Sequence, residues 1–537
     1  MAQEKFTRQL TPQKGLWISA PADSIGPEYS PWCQNVRFRF GKIMRAPGRS
    51  ISLQTLGSPI LGFAEQTDAS GNKTIYGLDG TNSALAYDVA THQFGAPRSL
   101  QMYPRRDSRF SWTAGEEQLL IVRASEISAL SPSGITQVAS PAGMFIEYFK
   151  NHVFLMNIVA DTNSPNPMGP MPNRVQWSTL GNYADWAVGL DGTGHYRGGF
   201  VDLYEGTVEP ITGGKLLNDR LVVYRNSSIV DFSATGDASA PFIPEGKVYG
   251  IGCMLPWSLV SVGQAHIFVA NDFNVYSWDG VNLNPIGSPI HSYLRKMFDP
   301  SIAYTWQNMP FAAAFMGFKE YWLVIPDQVC GKWTALIFDY FRNSWTRDSF
   351  HNLNALAEHI LPGAVGTSGY NEHGYPKNYP QLLAASDNGY FLIDERICGD
   401  WFWRPDDGGM DMFVDTPDMF YDQTALQNAT LQRVMVSDDY PTPDGPAFKL
   451  EVSVDRGNSF PYQRALKPFG PYLGFDFVDM NITSNVRRYR FFYPKENGSA
   501  RPTLRAYTDV YVPSGEFFPT RKAVNPRDPF VPPTHID

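Results

Sequence analysis

Short apolar runs, each closed off within a few positions by Gly, Asn, Asp or Pro, recur along most of this chain and leave little room for anything but antiparallel β structure. Lys73-Thr74-Ile75-Tyr76-Gly77-Leu78, Gln118-Leu119-Leu120-Ile121-Val122, His152-Val153-Phe154-Leu155-Met156 and Arg220-Leu221-Val222-Val223-Tyr224 are of this kind. So are His266-Ile267-Phe268-Val269, Tyr321-Trp322-Leu323-Val324-Ile325, Ala335-Leu336-Ile337-Phe338 and Gln381-Leu382-Leu383-Ala384-Ala385. Punctuation is dense: 46 Gly and 42 Pro in 537 residues exceed the roughly 12% combined share of an average chain. The best helical stretch is Pro289 to Met297, where Ile290, Tyr293, Leu294 and Met297 share one face.

The runs follow a recurring order of strand, tight turn, strand with an aromatic or Asp, and Gly or Asn turn. Tyr76-Gly77-Leu78 followed by Ala84-Leu85-Ala86-Tyr87-Asp88 is one instance. Ile267-Phe268-Val269 followed by Asn274-Val275-Tyr276-Ser277-Trp278-Asp279-Gly280 is another. Small sheets that cannot bury both faces alone must pack on one another, so the fold expected is all-β: an irregular β-propeller of six to seven blades over residues 58–409, with long loop insertions. The Pro-rich stretch Asp161 to Pro172 and the segment Leu361 to Pro380 are the expected excursions. From 410 to 512 strict alternation, as in Phe448 to Val454 and Arg487 to Tyr493, predicts a separate β-sandwich. Residues 1–57 form an N-terminal arm with a docking strand, and 513–537 an extended Pro-rich tail.

Signatures of chemistry are sparse. Cys33, Cys253, Cys330 and Cys398 lie far apart and read as buried thiols. There is no HExxH, GxSxG or GxxxxGK[ST], so no cofactor is expected. His152 and His266 sit in apolar strands, as satisfied core histidines do. Ser453-Val454-Asp455-Arg456-Gly457-Asn458-Ser459-Phe460 is an Asp box, read here as a hairpin-stabilising motif carried by Ser453, Asp455, Gly457 and Phe460. A glycosidase would need two carboxylates about 5–9.5 Å apart, which spacing alone does not supply. Asp406, Asp407, Asp411, Asp415 and Asp418 read as an acidic loop facing solvent or a lumen. The basic run Val36 to Arg49 reads as an edge strand with one cationic face; nucleic-acid contact is the lesser reading, and docking of Arg37, Arg39 and Arg45 to an acidic neighbour, or plain solvated arginines, the larger. With 44 Lys+Arg against 53 Asp+Glu the net charge is −9, unsuited to gripping phosphates over a main surface. Neither a leader-like apolar region after Met1 nor an apolar run of 18 or more is present, and the expectation is a chain made in a cytoplasm, unless something else releases it, without a membrane segment.

The order of several motifs carries a resemblance. Gly15-Leu16-Trp17, then Glu28-Tyr29-Ser30, then Asn35-Val36-Arg37-Phe38-Arg39 and Arg45-Ala46-Pro47-Gly48 resemble the opening of short-tailed bacteriophage tail nozzle (tail tubular protein B) and packaged-DNA stabilisation proteins. Asn173-Arg174-Val175-Gln176-Trp177-Ser178, Ala270 to Gly280 with Ile286-Gly287-Ser288-Pro289-Ile290, and Ile337-Phe338-Asp339-Tyr340 with Asn343-Ser344-Trp345-Thr346 are similar to later blade elements of those families. Asn274 stands where Gly is usual there, and Cys33 replaces a small residue.

The resemblance implies a non-enzymatic virion protein: a tail nozzle or hub ring, by analogy a hexamer, below the portal and its adaptor ring, bearing tail fibre, needle or tailspike components. Genomic DNA would be retained above it and leave through its lumen without specific binding. Trp17 and Tyr29 would join Arg37, Arg39 and Arg45 at a subunit or adaptor contact, and Trp345 would be a wedge between blades. The alternatives are a propeller glycosidase or depolymerase, and a host-receptor-binding tail protein using rim aromatics such as Trp401 and Trp403.

Overall fold

A computed structural model describes residues 5–10, 12–50, 54–67, 73–88, 93–100, 102, 108–115, 118–131, 134–161, 169–204, 208–298, 309–327, 332–359, 381–387, 389–394, 410–420, 427–439, 448–468, 475–494 and 503–516. The expected excursion at 361–380, Trp401, Trp403, Asp406, Asp407 and the tail beyond 516 lie outside them.

Among the described residues, seven small antiparallel sheets follow one another along the chain, most of them four-stranded. Their first strands are Ile60–Thr67, Ser111–Gly115, Ala142–Phe149, Ile211–Leu217, Val260–Val262, Phe311–Phe315 and Ala355–His359. Each lies against the first strand of the next sheet, and Ala355–His359 lies against Ile60–Thr67. This order of neighbours is that of propeller blades. The seventh sheet takes its outer strand from Gly48–Arg49, far back in the chain, which pairs with Gly389–Asp394.

The reason the chain adopts this arrangement is visible in its second strands. In Gln118–Val122, Leu119 and Ile121 pack between the first and second sheets, whereas Leu120 and Val122 pack between the second and third. In Glu320–Asp327, Trp322 and Val324 face the seventh sheet, while Tyr321, Leu323 and Ile325 face the other way. Successive side chains point to opposite faces, and both faces are covered, so the central positions, Leu119 to Val122 and Tyr321 to Ile325, are apolar without alternation. Trp345, buried, fills a gap between the fifth and sixth sheets, and its indole N–H donates to the Ile286 carbonyl at 2.8 Å. The expected helix is present as a 3-10 turn, Ser288–Ile290, leading into His291–Met297.

The β-sandwich is also present, but it is built from both ends of the chain. One of its sheets contains Gln427–Asp439, Phe475–Ser484 and Thr503–Glu516 together with Val36–Arg39, Lys42–Arg45 and, paired on Thr503–Glu516, Lys5–Leu10. The other contains Met412–Asp415, Lys449–Ser453 and Val486–Tyr493 together with Cys33–Gln34. The first 57 residues are therefore not a separate arm. Unpaired edge strands are costly to leave open, and the N-terminal strands close edges in the sandwich and in the seventh sheet. The last strand also runs past the expected boundary at 512, to Glu516.

A glycine holds this joint close. Gly15 has φ +92°, and a Cβ there would stand 2.6 Å from the Trp345 carbonyl oxygen, which accepts the Leu16 N–H at 2.8 Å. Gly15→Ala is expected to lower unfolding stability by about 1–3 kcal/mol, read as a lower urea midpoint with an unchanged far-UV circular dichroism spectrum.

Candidate functional site

The arginines expected to meet a neighbouring subunit are spent inside the chain. Arg37 stands on Val36–Arg39 in the sandwich and reaches the sixth sheet. Its Nη1 and Nη2 donate to Asp348 Oδ1 and Oδ2 at 2.9 and 2.8 Å, and its Nε to Glu320 Oε1 at 3.0 Å. Arg39 Nη2 donates to the same Glu320 oxygen at 2.5 Å, and Trp322 Nε1 donates to Glu320 Oε2 at 2.9 Å. Arg37, Arg39, Glu320 and Asp348 are all buried. Arg45, likewise buried, donates to the Met410 carbonyl and lies over the Tyr493 ring. The docking expected of these three is thus corrected: a cationic strand in a mildly acidic protein found its carboxylates within the chain.

Burial by itself would raise the Glu320 pKa. The Arg37 and Arg39 guanidiniums outweigh that and hold it below the ordinary glutamate value. Of the five docking candidates, Trp17 and Tyr29 keep some surface. Their rings meet edge to face with centroids 4.7 Å apart, and Lys14 Nζ stands 5.6 Å from the Tyr29 centroid.

The acidic loop also resolves into ion pairs where it is described. Asp415 is buried and accepts from Arg490 Nε and Nη2 at 2.6 and 2.9 Å. Asp418 accepts from Arg488 Nε at 2.8 Å. These carboxylates join strands of the sandwich and do not line a lumen, and Asp411, next to them, is half-buried. The Asp box closes the hairpin from Lys449–Ser453 to Tyr462–Ala465. Asp455 Oδ1 accepts from Ser453 Oγ at 2.6 Å and from the Ser459 N–H at 3.0 Å, and Gly457 at φ +84° donates its N–H to Ser453 Oγ at 2.7 Å. Hydrogen bonds from the Ser453 and Ser459 hydroxyls and the Ser459 N–H pull the Asp455 pKa down to about 2. The Phe460 ring lies against the Arg490 guanidinium, 4.0 Å from centroid to carbon.

Two cavities open where the first strands of the sheets converge, and Trp112 lines both. One, of about 190 Å³, is lined also by Phe145, Lys215 and Trp257. The other, of about 460 Å³, is lined also by Glu65 and Glu358. Two carboxylates in this region have both oxygens engaged by protein donors. Glu147 accepts from Thr113 Oγ1 at 3.2 Å and Lys215 Nζ at 3.4 Å, and Glu358 accepts the Met316 and Gly317 N–H groups at 2.7 Å each. Among the described residues no cluster of His, Cys, Asp and Glu has metal-binding geometry. Cys33 and Cys253 are buried free thiols, pushed up to about 12 by burial; Cys330 and Cys398 lie outside the described residues.

His152 and His266 are core residues, as expected. His152 Nδ1 meets the Ser178 carbonyl at 2.6 Å. His266 meets the Leu216 carbonyl at 2.9 Å through Nε2 and the Tyr224 hydroxyl at 2.8 Å through Nδ1, which makes it a neutral ring with Nε2 protonated.

Sequence reasoning missed the most conspicuous surface. Between Met171–Trp177 and Gly199–Asp202 the chain makes an ordered excursion in which Leu190 bridges Tyr196 and Val188 bridges Gly198. Leu180, Val188, Leu190, Tyr196 and, just beyond, Tyr204 and Val208 are all exposed. Phe40 and Phe341 are exposed as well, at 79% and 76%. The available signal was their setting: Phe40-Gly41 and Phe341-Arg342 occupy turns between paired strands, where side chains project outward.

Arg37→Met is expected to destabilise by about 3–5 kcal/mol, because it leaves Glu320 and Asp348 buried without their principal partner; a urea titration measures it. The depressed Glu320 pKa adds a sign. Its contribution is complete above the unfolded glutamate value of about 4.3 and is lost as pH falls through the lower folded value. His266, lowered to about 4 by burial, shows the same direction over a different window. Stability should fall by on the order of 3 kcal/mol as pH drops from about 6.5 to about 4, and the ring should remain neutral at pH 5.5 by NMR.

No protein-family profile matches the chain, and no curated protein matches it. Among solved structures it is similar to PorZ, described as an essential bacterial surface component of the type-IX secretion system of Porphyromonas gingivalis, at 11% identity and a TM-score of 0.33. The match covers 68% of this chain and 42% of that one, so it spans about two fifths of PorZ.

Proposed function

We propose that this chain is a structural, non-enzymatic protein of a short-tailed bacteriophage virion, a nozzle or hub ring below the portal and adaptor through which the genome leaves. One observation carries the reading. The separated motifs on which the resemblance rests meet in space. The Leu16 N–H donates to Trp345 O at 2.8 Å, the Ile18 and Ser19 N–H groups donate to Pro289 O at 2.8 and 3.0 Å, and the Trp345 indole donates to Ile286 O at 2.8 Å. Arg37 pairs with Asp348, and the Asn35 N–H donates to Arg347 O at 2.9 Å. Residues from the N-terminal opening and from two blade motifs thus form one joint between propeller and sandwich. Motifs that serve a joint suit a scaffold, since a mechanical part must keep its sheets in register under load.

The surface supports the same reading. Monomeric proteins seldom expose contiguous apolar patches beyond a few hundred Å², and the excursion around Leu190 and Tyr196 is apolar and ordered. Such a surface fits a homo-oligomer. Glu147 and Glu358, near the cavities, have both oxygens engaged by internal donors, as structural carboxylates do. The net charge of −9 suits a conduit along which duplex slides without adhering.

Negative-stain imaging of the purified chain, alone and with its adaptor, is expected to show rings of one diameter formed without any cofactor. A persistent monomer that cleaves a polysaccharide, or binds duplex tightly at physiological salt, would overturn the proposal.

A further inference from the structure

Two exposed features sit at equivalent places in the third and sixth sheets. In the sixth, the connection from third strand to fourth, Lys332–Asp339 to Ser344–Phe350, carries Phe341 and Arg342. Beside it the hairpin joining Val36–Arg39 to Lys42–Arg45 carries Phe40. The Arg342 guanidinium lies 4.9 Å from the Phe40 centroid and 5.5 Å from that of Phe341, and its Nη1 donates to Asp339 Oδ2 at 2.7 Å. Lys319, exposed, stands at the neighbouring turn, where its carbonyl accepts the Tyr340 N–H. The result is an aromatic and cationic tip.

Phe40 is also in an unfavourable backbone conformation, φ +54°. A bulky residue there is an outlier, and such outliers gather at functional surfaces. Phe273, at φ +65°, stacks on Phe298 with centroids 6.2 Å apart, an evident packing reason for its place. Phe40 has no comparable burial. Local strain is thus retained for a ring that projects into water.

In the third sheet the equivalent connection, third strand to fourth, is the excursion described above. Its Leu190 and Tyr196 face out side by side, and Asp191 lies at its turn. Within residues 179–204 Asp185 pairs with Arg197, and Asp202 with Arg174 of the strand before, which leaves Asp191, at the turn, as the carboxylate to which no arginine or lysine among the described residues is paired. The two connections leave the same side of the sheets, because strand direction alternates identically in each, and they stand three sheets apart in the succession of seven.

We infer that the Phe40–Phe341 tip of one copy seats on the excursion at 179–204 of the next, a heterologous contact between opposite flanks of the protomer. The inference rests on the ring proposed above and names the surfaces that close it. The chemistry is complementary: aromatic rings enriched at interface cores meet exposed Leu and Tyr, and Lys319 and Arg342 meet an acidic turn. Unlike surfaces on opposite flanks, repeated head to tail, generate rings when the rotation closes.

The test uses full-length chains in analytical ultracentrifugation. F40N with F341S removes the tip; L190S with Y196S removes its seat. Each double variant is expected to sediment as a monomer where wild type forms rings. An equimolar mixture of the two should yield heterodimers and nothing larger, since each retains one half of the contact. Asn accepts the left-handed conformation better than Phe, so the tip variant should keep the wild-type far-UV circular dichroism spectrum and, at dilutions where wild type is also monomeric, melt at or above the wild-type temperature, which separates lost assembly from lost folding. Wild-type rings together with rings from either variant would overturn this inference and leave the ring proposal standing. A wild-type chain monomeric at every concentration would overturn both.

Discussion

A guanidinium held away from water between two carboxylates anchors the joint between the two halves of this molecule. Arg37 belongs to the sandwich, and Glu320 and Asp348 belong to the sixth propeller sheet. A buried ion is tolerable only when fully paired, so the position of the strand carrying Arg37 is specified tightly. An apolar patch at the same place could slide by a residue at modest cost. A bidentate pair cannot, because its geometry admits one arrangement. Around that anchor the weaker contacts fall into place: Gly15 against Trp345, Asn35 against Arg347, and the Arg347 guanidinium 4.6 Å from the Trp32 ring.

How the sheets cohere is a separate matter. Each blade of the propeller is too small to hide its own apolar faces, so alternate residues of one strand serve two different cores. Tyr321 and Trp322 are adjacent in sequence and buried in different clusters. Substitution in such a strand is felt on one side at a time, and an error in register would exchange both faces at once.

Much of this was legible in the sequence because it depends on local chemistry. The apolar runs became the strands expected, within four residues at their ends, and the Asp box formed the hairpin its residues dictate. The Trp345 indole found its acceptor, as a buried N–H must. What escaped was long-range. Arg37 lies 283 residues from Glu320 and 311 from Asp348, and no spacing rule connects such positions. A basic strand was therefore read as a surface, and the aspartates at 415 and 418 as a solvated loop, although their partners Arg490 and Arg488 were in plain sight in an alternating strand. The exposed rings of Phe40 and Phe341 escaped for the opposite reason: composition counts an aromatic residue without saying which way it points.

The entwining of the two ends has a consequence for biosynthesis. Strand Lys5–Leu10 pairs with Thr503–Glu516, and Lys42–Arg45 pairs with the same strand. On a translating ribosome, adding roughly 5–20 residues per second, the opening segment emerges roughly 25–100 s before its partner. The seven small sheets can condense in that interval, but the sandwich cannot. A product terminated before Thr503 would carry N-terminal edges without their partner strand, and would be exposed to proteases. Closure of the sandwich therefore waits on synthesis of Thr503–Glu516, however early the sheets before it have condensed.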